Sequence, residues 1–186
     1  MIYDGFTYNG EIECLLIHLH ELADVVDRFI VVEGDRTFTG QLKERLFYGD
    51  HEQRIPPALR ARIIPVYAML PERAASPWER ETYQRNSILL GLGGARSDDV
   101  LLMGDVDEIP RAAAVREVVE ALGDKEQVAF DQTHAMYYVN NICYTVRWRG
   151  TQAARVGWAR HVTPQGMRDD RNRAPFVPDG GWHYTS

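Results

Sequence analysis

Two continuous apolar runs, separated by helical patterns, constrain the fold of this chain more than any other feature. Residues 29–32 (FIVV) and 100–103 (VLLM) lack the polar alternation of a strand with one face in water. Such runs are typical of parallel strands that helices cover on both faces. Apolar residues between 11 and 26 recur with helical period, so a helix precedes the first run. The pattern predicts an α/β fold with a Rossmann-like, mostly parallel sheet flanked by helices, in which strands 29–33 and 100–104 are neighbours with their carboxyl ends at one edge.

Caps and helix breakers mark the remaining elements. Residues 76–79 (SPWE) place a Ser at the N-cap, a Pro at the first helical position and a Glu three residues on, so a helix should begin there and run to about residue 92. Pro110 should open another helix that ends at Gly123, and Asn9 is placed to cap the first helix. Further strand candidates are residues 2–8 and 63–66, and the chain from residue 127 on is predicted to form strands and loops.

Size and charge exclude several classes of protein. With 186 residues the chain is about one domain. The net charge is −6 and no basic stripe occurs, which argues against a nucleic-acid partner. No apolar run approaches the roughly 18 residues of a membrane span, and the N-terminus lacks the layout of a secretory signal, so we expect a cytoplasmic protein. The two cysteines, Cys14 and Cys143, lack metal-ligand spacing and are expected to be buried thiols.

An acidic cluster directly follows the second apolar run. Asp105, Asp107 and Glu108 lie at the carboxyl end of that strand, where open α/β sheets bind ligands. In an extended chain Asp105 and Asp107 would project to the same side. Paired carboxylates repel each other, and Mg²⁺ or Mn²⁺ would relieve that repulsion while taking further ligands from a phosphate. The alternative is a solvated acidic turn in which one Asp caps the helix at Pro110.

Other polar residues are candidate ligand contacts for the same geometric reason. Glu33, Asp35 and Arg36 end the first buried strand and could hold a nucleoside, or they are solvated loop charges. Arg85 has the guanidinium geometry for a phosphate, although a structural ion pair explains it equally well. His183 could bind Mn²⁺, or it is a hydrogen-bonded structural histidine.

Several segments, in order along the chain, resemble glycosyltransferase family 17, the family of bisecting β-1,4-N-acetylglucosaminyltransferases and bacterial relatives. Each segment is a weak signal alone, whereas six in the same order are specific. They are residues 6–11 (FTYNGE), 20–27 (HELADVVD), 29–34 (FIVVEG) with 37–40 (TFTG), 78–81 (WERE) with 83–86 (YQRN), 104–110 (GDVDEIP) and 180–183 (GGWH).

The resemblance implies an A-type glycosyltransferase fold, with residues 1–186 as one domain. About residues 1–110 would form the nucleotide-sugar-binding half, and about 111–186 the acceptor side. The implied reaction is an inverting transfer of a sugar, N-acetylglucosamine, from a UDP-sugar to a glycan or other hydroxyl acceptor, with Mn²⁺ or Mg²⁺. Family members generally continue beyond the segment around His183, so we expect the acceptor side to be incomplete here.

The same resemblance implies roles for single residues. Asp107 would bind the metal directly, and Asp105 would contact the ribose or the water shell of the metal. Glu33 and Lys43 would lie at the nucleotide, while Arg85 and His183 would face the diphosphate, with His183 also a metal ligand.

An inverting transfer also needs a carboxylate that accepts the proton of the acceptor hydroxyl. Asp179 is the first choice for this base and Asp131 the second. Aromatic side chains could stack on sugars or simply pack the core: Trp182, Tyr184, Tyr137, Tyr138 and Trp148. Two other functions stay open, a metal-dependent phosphohydrolase and a degenerate, non-catalytic nucleotide-sugar or glycan-binding module.

Overall fold

The computed structural model describes residues 1–44, 46–124, 126–136, 141–143 and 146–185. Within these ranges eight strands form one sheet, in the order β3-β2-β1-β4-β7-β6-β8-β5. The strands are β1 (Ile2–Thr7), β2 (Arg28–Gly34), β3 (Ile63–Ala68), β4 (Val100–Asp105), β5 (Glu108–Pro110), β6 (Gln127–Met136), β7 (Trp148–Arg155) and β8 (Phe176–Thr185). The helices are α1 (Ile12–Glu21), α2 (Phe47–His51), α3 (Pro57–Arg60), α4 (Pro77–Asn86), α5 (Ala112–Ala121), α6 (Val156–Val162) and α7 (Pro164–Asp170), with 3₁₀ turns at Glu52–Arg54 and Ser87–Leu92.

The fold class predicted from the sequence is confirmed, and the parallel character is strongest in the first half of the chain. Strands β1 to β4 pair in parallel with one another, whereas β7 is antiparallel to both β4 and β6. Strand β8 is parallel to β6 and antiparallel to β5. The predicted direct pairing of β2 with β4 is wrong, because β1 lies between them and pairs with both. Their carboxyl ends nevertheless lie at one edge, as predicted.

Each apolar run sends side chains to both faces of the sheet. Phe29 and Val31 of β2 pack in one hydrophobic cluster with α1 and α5, while Ile30 and Val32 pack in a second cluster on the opposite face. The second cluster includes the 3₁₀ turn at Ser87–Leu92 and residues of α6 and α7. Burial on both faces is the reason that these strands show no polar alternation.

Two predicted helix starts and one predicted cap need correction. Glu11, not Asn9, is the N-cap residue of α1, and its side chain does not cap the helix. Pro110 ends β5 instead of opening α5, because residues 108–110 are taken up by pairing with β8. Ser76 is the N-cap residue of α4, as predicted, but the predicted capping box is not formed, because the Ser76 side chain does not cap the helix and Glu79 accepts from the backbone N–H of Ala75 instead of that of Ser76.

None of the described helices is both long enough and apolar enough to cross a membrane.

Candidate functional site

A pocket of about 250 Å³ lies at the carboxyl edge of the parallel strands. It is bounded by the chain that follows β1, by one side of α4, by the turn that follows β4, and by one residue of β8. The register of β1 and β4 places Thr7 opposite Asp105, so both strands end at the pocket floor. The lining residues include Glu11, Glu81, Gln84, Arg85, Asp105, Asp107 and His183.

The closed side of this pocket consists of Asp105, Arg85, Arg168 and Glu108, whose charged groups are paired with one another. Asp105 accepts hydrogen bonds from Thr7 Oγ1 at 2.7 Å, from Arg168 Nη2 at 2.9 Å and from Arg85 Nη2 at 3.1 Å. Burial alone would raise the pKa of Asp105, but Arg85 and Arg168 outweigh it and hold the pKa below its ordinary value. The carboxylate is therefore ionised and neutralised by arginines, which makes it a poor direct ligand for a cation.

Glu108 is the fully buried anchor of the closed side. Its carboxylate accepts from Arg168 Nη1 at 2.7 Å, from Trp148 Nε1 at 2.7 Å and from the backbone N–H of Asp105 at 3.0 Å. The sequence prediction placed Glu108 in the acidic cluster without a role. Arg168 was not predicted at all, because α7 lies 60 residues further along the chain and no local pattern links the two.

Arg85 is 2% exposed and lies in the pocket wall. Its guanidinium also donates to Gln165 Oε1 at 2.6 Å and to Glu81 Oε1 at 2.7 Å, so the structural ion-pair alternative is present. Its Nε atom is buried and has no hydrogen-bond partner among the described residues. The Glu81 to Arg85 spacing of four residues on a helix is a signal that sequence reasoning could have used.

The open side of the pocket consists of Asp107 and His183. Strand β8 pairs His183 with Glu108, and the backbone N–H of Tyr184 donates to the carbonyl of Asp107 at 3.0 Å. This pairing holds His183 Nε2 at 3.6 Å from Asp107 Oδ2. The chain turns at residues 106–107 instead of staying extended, so the predicted alternation does not apply, although Asp105 and Asp107 both line the pocket.

The aromatic rings of Trp148 and His134 pack against the ring of His183. The His183 ring stacks on Trp148 at 4.3 Å between centroids, with an angle of 11° between the planes, and lies 4.7 Å from the His134 ring. Burial, and then the neighbouring His183, lower the pKa of His134. His183 Nδ1 is buried and lacks a hydrogen-bond partner within the part of the chain that the structure describes. Trp148 thus packs against the site by its face while its indole N–H is bound to Glu108, so this face is not free to stack on a sugar.

A divalent cation fits the open side better than the closed side. A carboxylate oxygen and an imidazole nitrogen face each other across the pocket, and both are ligand types that Mn²⁺ accepts. In the part of the chain that the structure describes, no group of three or more His, Cys, Asp or Glu is arranged to hold a metal. Phosphate oxygens and water would therefore have to complete the shell, which is usual for Mg²⁺.

The structure does not bring Glu33 and Lys43 to this pocket. Glu33 is fully buried and accepts from Lys43 Nζ at 3.1 Å and from the backbone N–H groups of Phe47 at 2.8 Å and Tyr48 at 2.9 Å. The carboxylate thus satisfies the first turn of α2, and a nucleotide contact by Glu33 or Lys43 stays a prediction. Asp35 has a similar local task, because it accepts from the backbone N–H of Leu70 at 2.8 Å.

The two proposed bases also lie elsewhere. Asp179 is at the start of β8, with its side chain 75% exposed and ion-paired to Arg111 at 2.7 Å. Asp131 lies in β6 and pairs with Arg147 at 3.3 Å. Neither is among the described residues that line the pocket. Of the proposed stacking residues, Trp182 lies under the guanidinium of Arg111, and Tyr137 and Tyr138 lie outside the described residues.

Comparison with known proteins places this geometry in a family. A family model described as glycosyltransferase family 17 matches residues 1–185. The chain belongs to glycosyltransferase family 17. The human β-1,4-mannosyl-glycoprotein 4-β-N-acetylglucosaminyltransferase is 28% identical to this family 17 chain in an alignment of 147 residues, which covers 73% of the chain and 27% of the human protein. The rat protein of the same name matches equally well, at 28% identity over 147 residues, 73% of this chain and 26% of its own length. The chain thus spans about a quarter of the length of these curated relatives.

Solved structures of low sequence identity share the fold. TarS of S. aureus, residues 1–349, superposes with a TM-score of 0.55 at 11% identity, covering 100% of this chain and 60% of that one. The 2-C-methyl-D-erythritol 4-phosphate cytidylyltransferase of Francisella tularensis gives a TM-score of 0.53 at 9% identity, covering 96% and 90%. These matches support the α/β fold class that the apolar runs predicted.

Proposed function

We propose that this family 17 chain is an inverting glycosyltransferase that moves N-acetylglucosamine from a UDP-sugar to a hydroxyl of a glycan, with Mn²⁺ or Mg²⁺ bound at the open side. The observation that carries the proposal is the pairing of Asp107 with His183 at the carboxyl edge, beside an Asp105 that arginines already neutralise. The name of the human relative, a mannosyl-glycoprotein N-acetylglucosaminyltransferase, supports the sugar and the glycan acceptor.

The two sides of the pocket would take different parts of the donor. Asp107 and His183 would hold the metal, which supplies Lewis-acid neutralisation of the leaving diphosphate when it is bound. Asp105 already accepts from Thr7, Arg85 and Arg168, so it would shape the wall beside the ribose and hold the two arginines there. Arg85 adds a positive charge at the same wall. About residues 1–110 would thus bind the donor, and about 111–186 would contribute His183 and the acceptor side.

In the transfer, the acceptor oxygen would form a bond to the anomeric carbon while the bond to the UDP oxygen breaks and UDP leaves with the electron pair. The acceptor proton would pass to a carboxylate. Asp179 and Asp131 stay untested predictions for that base.

The test begins with donor binding. Asp107→Ala should weaken UDP binding in the presence of Mn²⁺ by at least about 100-fold, because the cation loses its anionic protein ligand. Asp105→Asn, the matched control in the same turn, should weaken it less. Isothermal titration of UDP with and without Mn²⁺ measures both, and unchanged affinity in Asp107→Ala would reject the metal site.

Turnover separates the proposal from its alternatives. The protein is incubated with UDP-N-acetylglucosamine, Mn²⁺ and a mannose-terminated glycan, and the product is analysed by mass spectrometry. A product heavier by one N-acetylglucosamine supports the transferase. Phosphate release from p-nitrophenyl phosphate, or UDP binding without any product or UDP release, would instead support the phosphohydrolase or the non-catalytic module.

A further inference from the structure

A second cavity lies at the opposite edge of the sheet from the pocket. It has a volume of about 520 Å³ and is bounded by the loop before β4, the loop after α5, the end of β7 and the exposed side of α6. Strand β4 runs from this edge to Asp105, and at about 3.3 Å per residue its six residues separate the two sites by roughly 16 Å. The cavity is therefore distinct from the candidate active site.

Trp158 joins this cavity to a third one. The indole also lines a neighbouring cavity of about 390 Å³, together with Glu126, Asp170 and Arg173. The two cavities share Trp158 and are here together called the rear groove. The His161 ring lies one turn further along α6, 5.8 Å from the indole.

Arg155 and Trp158 are held in place in the wall of the rear groove. The terminal nitrogens of Arg155 donate to the carbonyls of Asp98 and Leu122, each at 3.0 Å, which fixes the guanidinium between the loop before β4 and the end of α5. Trp158 packs against the second hydrophobic cluster, so the position of its ring is fixed as well. A wall that is already ordered loses little conformational entropy when a ligand binds.

The chemistry of the lining defines the ligand. The lining carries carboxylates and guanidinium groups together, and Asp98 and Asp170 are ion-paired with Arg96 and Arg173. Charges of both signs favour a neutral ligand, and the carboxylates of Asp124 and Glu126 can accept hydrogen bonds from its hydroxyl groups. The indole of Trp158 offers a flat apolar surface. A hydroxyl both donates and accepts, and a sugar ring presents an apolar face between its hydroxyls. A neutral carbohydrate meets all these demands at once.

We propose that the rear groove is a carbohydrate-binding site, separate from the donor pocket, in which a neutral oligosaccharide stacks on Trp158 and donates hydroxyl hydrogen bonds to Asp124. The site goes beyond the proposed transfer reaction and does not depend on it. In a glycan-modifying enzyme it would hold a sugar chain at a distance from the reacting residue.

The experiment uses the whole chain and two neutral probes, chitotetraose and maltotetraose, with saturation-transfer NMR and titration of the dissociation constant. We expect at least one probe to bind with a dissociation constant of about 1 mM, and Trp158→Leu to weaken that binding at least about tenfold. The matched control is Trp78→Leu, since Trp78 is an exposed tryptophan on α4 outside the groove. Asp107→Ala and saturating UDP with Mn²⁺ should leave probe binding unchanged.

Several results would overturn the proposal. They are the absence of binding by both probes, equal affinities for Trp158→Leu and Trp78→Leu, and displacement of the probe by UDP with Mn²⁺. If Trp158→Leu does not fold, Asp124→Ala replaces it, because Asp124 is exposed. That variant should weaken probe binding about threefold to tenfold, and unchanged binding rejects the site. Failure of the proposed transferase would leave all of these binding results intact, so the two proposals fail separately.

Discussion

The closed and open sides of the pocket each contain a carboxylate, but in opposite states. On the closed side, Asp105 and Glu108 accept hydrogen bonds from arginine, tryptophan, threonine and backbone donors. On the open side, the side-chain partner of Asp107 among the described residues is a histidine at 3.6 Å, and within the same residues that histidine keeps an unpaired nitrogen. A carboxylate that is saturated by protein donors maintains the shape of a site, whereas an unsaturated one can bind a ligand. Adjacent acidic residues in one turn can therefore have different tasks.

Removing charge from the closed side should have the largest effect, on stability. Glu108→Gln leaves the buried Arg168 with Asp105 as its remaining anionic partner, so we expect the free energy of unfolding to fall by roughly 3 kcal/mol. Urea unfolding measures it. The control is Asp98→Asn, which removes an exposed ion pair with Arg96 and should leave stability unchanged. Equal behaviour of the two variants would show that the closed side is not a structural anchor.

Substitutions on the open side should lower the affinity for UDP and should change the stability of the fold much less. His183→Ala should weaken UDP affinity with Mn²⁺ about tenfold, or about 1.4 kcal/mol. His183→Phe keeps a ring to stack on Trp148, so it should retain the melting temperature of the wild type and still lose the affinity. Calorimetry of UDP binding and thermal unfolding of both variants distinguish a ligand-binding role of His183 from a structural one. A lower melting temperature with normal UDP affinity would make His183 a structural residue.

The turn between the two sides is supported by His18, and it should give a smaller, pH-dependent effect. The ring nitrogens of His18 lie 2.8 Å from the Val106 carbonyl and 2.8 Å from Asp4 Oδ2. Burial would lower the pKa of His18, but the Asp4 carboxylate and the two hydrogen bonds outweigh it and raise the pKa. A histidine with a raised folded pKa stabilises the fold fully below about pH 6.5, and that contribution is lost as pH rises through the folded pKa.

We therefore expect the free energy of unfolding to decrease by about 1 kcal/mol from about pH 6.5 to pH 9. The double variant Asp4→Asn/His18→Gln should lose this dependence while the other titrating groups stay the same. Urea unfolding at several pH values gives both curves. Parallel curves for the wild type and the double variant would contradict the assignment.

The smallest effect is expected from substitutions of carboxylates that lie outside both sides of the pocket. Because Asp179 and Asp131 do not line the pocket, Asp179→Asn and Asp131→Asn should change turnover by less than about threefold, close to the limit for a surface substitution. Initial rates of UDP release measure this. A loss of 100-fold or more in either variant, with UDP affinity unchanged, would identify that residue as the catalytic base.

The first half of the fold could be predicted because its signals are local. The apolar runs of β2 and β4 follow from burial on two faces, and the Ser-Pro start of α4 follows from the backbone needs of a helix end. The second half gives weaker signals. Its strands carry buried polar residues such as Gln132, Thr151 and Gln152, which interrupt the apolar pattern although they are satisfied by neighbouring strands.

For the site, the sequence alone determined where an acidic turn lies, namely after a buried strand at the carboxyl edge of a parallel sheet. Only the tertiary structure decided which carboxylates are available. Glu33 was expected to bind a ligand, but its carboxylate accepts hydrogen bonds from the backbone N–H groups of Phe47 and Tyr48. The carboxylate of Glu108 likewise accepts a hydrogen bond from Arg168. Strand β8 sets His183 beside Asp107 although 76 residues separate them. The reason is physical: a residue type fixes what a side chain can donate or accept, whereas its partners depend on long-range pairing that no local pattern records.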